Sequence, residues 1–269
     1  MVINSITIIF CDLIPDFWSC QNLVKTLDVT CAPCTIEALA FLELLYIKGH
    51  DQLRDLFYVP IPKVACTTLK HLCFYIQNKK QFENFVFGTK KFSIHTLSPT
   101  VAHKCWKKSN IMQDHAVINL AFKFCVVRNP VKRLLSCYSN RVLYHNDLKH
   151  NIDELKSLKL SVKPSLDEFV DQFQQYFEIS PSIYHHARPM CAYLSRESSF
   201  YHKIYDISEI DGKLMVDLSN LCGVSIPRIP KLQAVGIKIN VDDLTNSQIS
   251  KIKKFYHDDY KFYGDSFIE

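Results

Sequence analysis

Glycine is scarce in this chain, at 6 of 269 residues. With 48% hydrophobic and 12% aromatic residues, that scarcity excludes a disordered, collagenous or linker-dominated polypeptide. A G-x-x-x-x-G-K-[ST] loop is absent, so the chain is not a Walker-type nucleotide binder. No apolar run approaches the roughly 18–20 residues that a membrane span needs. The apolar start from Ile6 to Phe10 is interrupted by Asp12, Pro15 and Asp16, with no basic stretch before it, so a signal peptide is not expected. Of eleven cysteines only Cys31-Ala-Pro-Cys34 has ligand-like spacing, and no second pair exists to complete a zinc site. Most of the others, such as Cys73, Cys105, Cys125 and Cys137, sit in apolar stretches, as small buried thiols of a reducing compartment do.

Positive charge is unevenly placed. Residues 61–141 carry fourteen Lys or Arg against two acids, Glu83 and Asp114, inside a chain whose overall charge is only +5. The remainder is therefore acidic. A basic segment in an acidic frame points to an anionic ligand, and a nucleic-acid surface would give the same signal. No helix-turn-helix, RNP or zinc framework supports the nucleic-acid alternative.

The periodicity predicts helices over Thr35–Lys48, Thr67–Gln77, Asn129 to about Leu143, Leu166–Phe177, Asp211–Leu221 and Thr245–Tyr256. Short apolar runs at Phe57–Ile61, Phe122–Val127 and His202–Asp206 read as strands, buried rather than alternating. Residues 145–163 are polar and read as a mobile surface loop. Strands alternating with helices argue for an α/β fold with a mostly parallel sheet.

Two strand-to-helix turns carry the chemistry. In Ile61-Pro62-Lys63-Val64-Ala65-Cys66-Thr67-Thr68 the helix N-terminus supplies partial positive charge, Lys63 a full charge, and Thr67 and Thr68 hydroxyls. In Val127-Arg128-Asn129-Pro130-Val131-Lys132-Arg133-Leu134-Leu135-Ser136, Asn129 caps and Pro130 opens a helix, and Arg133 and Ser136 share its face. Two arginines, a serine and a helix start suit a dianionic phosphate.

These two segments resemble the sulfotransferase family. Pro62-Lys63-Val64-Ala65-Cys66-Thr67-Thr68 resembles its 5′-phosphosulfate loop, and Arg128-x-Pro130-x-x-Arg133-x-x-Ser136-x-Tyr138 is similar to its 3′-phosphate motif. The wording is nearest to the carbohydrate sulfotransferases of the chondroitin and dermatan type, with their bacterial relatives. Further on, Tyr184-His185-His186-Ala187-Arg188-Pro189-Met190 is similar to the family's His-Trp-x-Pro-Gln segment, with Ala187 and Met190 in place of Trp and Gln. Lys203 to Ile207 is similar to its late strand, and the resemblance spans roughly residues 55–265.

The resemblance implies one domain with a three-layer, nucleotide-kinase-like sheet flanked by helices, preceded by a helical extension over residues 1–54. It implies 3′-phosphoadenosine 5′-phosphosulfate (PAPS) as donor, no metal, and a hydroxyl acceptor, expected to be a glycan. Lys63 would stabilise the leaving oxygen; Pro62 to Thr68 would hold the 5′-phosphosulfate, and Arg128, Arg133 and Ser136 the 3′-phosphate. A proton acceptor is sought among Glu83, His95, His103, Asp114 and His115; His95, after a short β-like run, is the first choice and His186 the second. An inactive nucleotide-binding homologue and a basic nucleic-acid-binding protein are the alternatives. A nucleotide kinase would need the glycine-rich loop that is missing. The expected location is cytoplasmic, with the Golgi lumen or a membrane-associated site as the family alternative.

Overall fold

The structure, a computed structural model, describes residues 45–47, 54–95, 120–227 and 236–268. Cys31, Cys34, His103, Asp114 and His115 lie outside the described residues, as does most of the 1–54 extension.

The centre is a four-stranded sheet of β1 (Leu45–Ile47), β2 (Leu56–Tyr58), β5 (Phe122–Val127) and β6 (Lys203–Asp206), in the order β1-β2-β5-β6. The last three run parallel, and β1 joins the edge antiparallel to β2. The helix expected over Thr35–Lys48 is thus corrected at its end, because residues 45–47 pair with β2. Residues 35–44 of it lie outside the described residues. Five of the six residues of β5 are buried, as a strand with neighbours on both edges and cover on its faces requires. Tyr58 stacks on Phe124 at 5.2 Å between ring centroids, and Tyr205 meets the same ring edge-on. Each such ring contributes about 1.5–3 kcal/mol by leaving water.

The helix α1 (Cys66–Asn78) follows β2 and buries Leu69, Leu72, Cys73 and Ile76, the face read from the sequence. A hairpin of β3 (Phe85–Phe87) and β4 (Lys90–Phe92) comes next. It is tied to α1 by a small cluster of Phe74, Phe82 and Ile94. After β5, α2 (Pro130–Cys137) runs on into a π-helical turn over Tyr138–Tyr144, so helix spans the range expected for it.

Residues 145–163, expected to be a loop, contain a 3-10 turn (Asp147–Asn151) and α3 (Ile152–Ser157). Leu148 and Leu155 are fully buried there, and these two apolar anchors in a polar stretch were too sparse to show as a periodic face. The helix expected over Leu166–Phe177 is two, α4 (Leu166–Asp171) and α5 (Phe173–Ile179). Then come α6 (Pro181–Ala187), α7 (Met215–Cys222), α8 (Asn246–Phe255) and α9 (His257–Tyr263). Thr245 caps α8 reciprocally with Gln248, as its sequence position suggests. A second core, including Leu134, Phe169, Tyr176, Ile183 and Tyr256, joins α2 to these helices. The result is an α/β molecule, rich in helix, with a small and mainly parallel sheet.

Candidate active site

Because β2, β5 and β6 are parallel, the turns that leave them open on one edge of the sheet, where ligands of α/β proteins gather. The turn after β2 is contorted. Lys63 (φ 65°) and Ala65 (φ 52°) both occupy the left-handed region that glycine usually fills. Non-glycine residues held there cost of order 1–3 kcal/mol each, so surrounding bonds must hold them. The sequence gives no sign of this, because the turn contains no glycine. Ala65 is the N-cap of α1 and no side chain caps its first turn, so the positive end of the helix faces the turn.

The bonds that hold the turn come from the second motif. Arg128 donates from Nη1 to the Lys63 carbonyl at 3.0 Å. Arg133 donates from Nε to the Pro62 carbonyl at 3.1 Å, from Nη1 to the Arg188 carbonyl at 2.8 Å and from Nη2 to the His186 carbonyl at 3.2 Å. Two motifs 65 residues apart in sequence are therefore one construction.

Its parts differ in what they leave open. Lys63 is half-buried. Burial, with the Arg141 and Arg128 charges nearby, lowers its pKa to about 8. Arg128 is also half-buried; burial and Arg133 lower its pKa, while the carboxylate of Asp206 opposes them. Ser136 is half-buried one turn beyond Arg133. Arg133 itself is 0% exposed, with Nε, Nη1 and Nη2 each bonded to a carbonyl. The structure thus makes Arg133 a clamp on two backbone segments, not a group facing an open anion site. Asn129 caps α2 as its sequence position suggests, accepting from the amides of Val131 (3.0 Å) and Lys132 (3.4 Å). Those amides serve the cap, so what this motif offers a ligand is its side chains. Tyr138 is buried and donates to the Pro164 carbonyl at 2.9 Å.

Among the remaining candidates, His95 follows β4 and its Nε2 lies 2.8 Å from Thr67 Oγ1. Glu83 is exposed on the segment before β3. His186, in the last turn of α6, is half-buried and donates from Nδ1 to the Ser182 carbonyl at 2.8 Å. That bond fixes the neutral tautomer with a lone pair on Nε2. Burial, then His185 and Arg141, push its pKa far down. Ala187 and Met190 are both fully buried, so the two departures from the family segment are packing positions in this chain.

The segment around them is held by its backbone. Tyr256 donates to the Ala187 carbonyl at 2.5 Å, and the buried Asp259 accepts from the amides of Met190 and Cys191, each at 2.8 Å. Neither Asp259 nor the ion pair of Arg141 with Asp147 (2.5 Å), which Ser182 joins at 2.5 Å, was read from the sequence. For Asp259 a signal existed: it shares one helix face with the buried Tyr256 and Tyr263, where an acid needs a reason. For Arg141 none did, because the π-helical turn shifts the register beyond Ser136.

The sulfotransferase family profile matches residues 50–265, four-fifths of the chain. The chain belongs to the sulfotransferase family. No curated protein and no solved structure matches it significantly. The sulfotransferase match takes in both β2 and β6 and every site residue described above. It makes this protein one of a family of transferases that move a sulfuryl group. Among the described residues no cluster of His, Cys, Asp and Glu could hold a metal ion, and no helix is long and apolar enough to cross a membrane.

Proposed function

We propose that this sulfotransferase moves a sulfuryl group from PAPS to a hydroxyl, of a carbohydrate. The observation that carries the donor assignment is the Arg128–Lys63 bond, which brings the two anion motifs to one edge of the sheet. A ligand with phosphates at both ends of an adenosine needs two such motifs at a fixed separation. The three-layer, nucleotide-kinase-like architecture belongs to the same proposal, supported by parallel strands opening on one edge.

In this reading the turn from Pro62 to Thr68, with the α1 N-terminus and the hydroxyls of Thr67 and Thr68, holds the 5′-phosphosulfate. Arg128 and Ser136 hold the 3′-phosphate, and Arg133 fixes the backbone that places them. Sulfuryl transfer, like phosphoryl transfer, passes through a loose transition state, so charge grows on the bridging oxygen as the S–O bond breaks. The Lys63 ammonium meets that charge in a partly desolvated site, where it counts for more than in water. The acceptor proton goes to Nε2 of His186, whose lone pair the Ser182 bond leaves available. Its basicity is weak in the free protein; the bound donor's negative charge raises it at the moment it is needed.

The test is a thermal shift with 3′,5′-adenosine bisphosphate, with ATP plus magnesium, and with DNA. The donor assignment requires stabilisation by the first alone; a shift with ATP and magnesium or with DNA only would replace it. Arg128→Ala should raise the donor KM about tenfold to a hundredfold, the range for a hydrogen bond to a charged group. The 3′-phosphate is remote from the reacting sulfur, so kcat should change less. Equal losses in both, measured with radiolabelled donor, would show that remote binding is used in the transition state.

A further inference from the structure

Arg133 and Cys137 lie one turn apart on α2, and Arg141 follows them in the π-helical turn. A π-helix turns the chain less per residue than an α-helix does, which offsets the drift of such a row and keeps Arg141 on the face of Arg133. Arg133 fixes what lies on either side of that face, the Pro62 carbonyl of the donor turn and the His186 carbonyl of α6. Arg141 braces α6 one turn earlier. Its Nε donates to Asp147 Oδ2 at 2.7 Å and to Ser182 Oγ at 3.2 Å, and its Nη2 meets Asp147 Oδ2 at 2.5 Å. Ser182 donates to the same carboxylate oxygen, and its carbonyl accepts from Nδ1 of His186. Cys137, between the two arginines, is fully buried, and of the charges around its thiol that of Lys63 acts most strongly. Lys63 therefore stands over the stretch from Arg133 to Arg141. The Arg141 charge also bears on Lys63 more than that of Arg128, although Arg128 is bonded to the Lys63 carbonyl.

The Arg141 guanidinium is anchored along one edge. Nε and Nη2 face Asp147, while Nη1 makes no hydrogen bond to any described residue, and the side chain is 23% exposed. Lys63 and Arg141 are like charges, and an anion seated between them removes their repulsion. In the PAPS reading Lys63 meets the bridging oxygen and His186 the acceptor hydroxyl, so what lies between those two residues is the sulfuryl group. We infer that Arg141 is a further sulfuryl-binding residue: with Nε and Nη2 held by Asp147, its Nη1 donates to a non-bridging oxygen of the group in transit. The donor makes this contact and the desulfated product does not, so Arg141 favours loaded donor over spent nucleotide. That sets it apart from the residues that hold the two phosphates. This inference rests on the PAPS reading above.

The experiment measures the Kd for PAPS and for 3′,5′-adenosine bisphosphate in wild type, Arg141→Met, Arg141→Lys and Arg141→Met/Asp147→Asn, each checked for folding by thermal melting. Arg141→Met should weaken PAPS binding about tenfold to a hundredfold, the range for a hydrogen bond to a charged group. Binding of the bisphosphate, which has no sulfuryl oxygens, should change by less than about threefold, since only a screened charge is lost. The double variant removes both charges, leaves no carboxylate uncompensated, and should show the same split between the two ligands. Arg141→Lys keeps an ion pair with Asp147 but has no second nitrogen to offer, so it should show the split as well. The acceptor KM at saturating donor should be nearly unchanged. Equal losses for both ligands would make Arg141 a structural brace, and an unchanged PAPS Kd would put Nη1 out of reach. A raised acceptor KM with PAPS binding intact would assign the arginine to the acceptor. Each of these outcomes overturns the inference. Should Arg141→Met fail to fold, Arg141→Lys and the double variant decide by the same criteria. Failure of the wild type to bind the bisphosphate at all would instead count against the PAPS reading.

Discussion

Lys63→Ala should lower kcat by about 10²–10³, the loss seen when one donor to a developing oxyanion is removed. The protein should stay folded. Lys63 lies in the left-handed region, and alanine tolerates that region no worse than lysine does, so no strain is added. The Lys63 carbonyl still accepts from Arg128, because that bond uses backbone, not side chain, on the lysine's part. The melting temperature should therefore move by no more than about 1–2 °C, the consequence of a change within roughly 0.5 kcal/mol. The same lysine should show in the pH profile. Burial, reinforced by Arg141 and Arg128, lowers its pKa to about 8. The ammonium is charged below that pH and neutral above it, so kcat/KM, which reports the free enzyme, should fall as pH rises through about 8. Bound donor, being an anion, favours the ammonium, so the fall in kcat should come at higher pH than the fall in kcat/KM. Turnover near the wild-type rate in Lys63→Ala would remove Lys63 from the chemistry. A kcat/KM that is flat from pH 7 to 9 would show that its charge is not what matters.

The sequence made the frame legible where local and tertiary forces agree. β5 is bounded as its apolar run is, and α1 buries the face that its spacing predicts. Pro130 after Asn129 marks the start of α2 because proline's fixed φ and missing N–H suit a first turn. Two strand-to-helix turns were legible, but the connection between them was not. It depends on guanidinium groups bonding to carbonyls, and any residue can supply a carbonyl. Arg133 shows the difficulty: spacing puts it on the same face as Ser136, yet that face at Arg133 points into protein. The left-handed backbone at Lys63 and Ala65 was equally hidden, since glycine, its usual marker, is missing. The strand-like run before His95 was legible, and β4 ends shortly before it. What spacing could not supply was its neighbour, Thr67, 28 residues away.

Arg133→Ala should damage stability more than any other single change at the site. Its side chain is fully buried and serves the carbonyls of Pro62, His186 and Arg188. Truncation leaves three acceptors without that donor, each costing about 1–3 kcal/mol where water cannot replace it, and leaves a void beside α2. Asp259, buried and facing Arg133, loses a charge that favours its ionised form, which adds to the cost. Together these predict a loss of about 3–5 kcal/mol in urea unfolding of the ligand-free protein, the range for breaking a buried charged network. Donor binding should weaken in parallel, because the Pro62 carbonyl is one of the points that hold the strained Lys63 turn. Arg133→Lys should recover only part of the stability, since an ammonium lacks the planar fork that reaches two peptide segments at once. Arg133→Met, which restores most of the volume but none of the donors, separates the void from the bonds. If methionine restores stability, packing and not hydrogen bonding is what Arg133 supplies. If Arg133→Ala instead unfolds like wild type without ligand and merely fails to bind the bisphosphate, then the guanidinium reaches the phosphate after all, and the clamp is wrong.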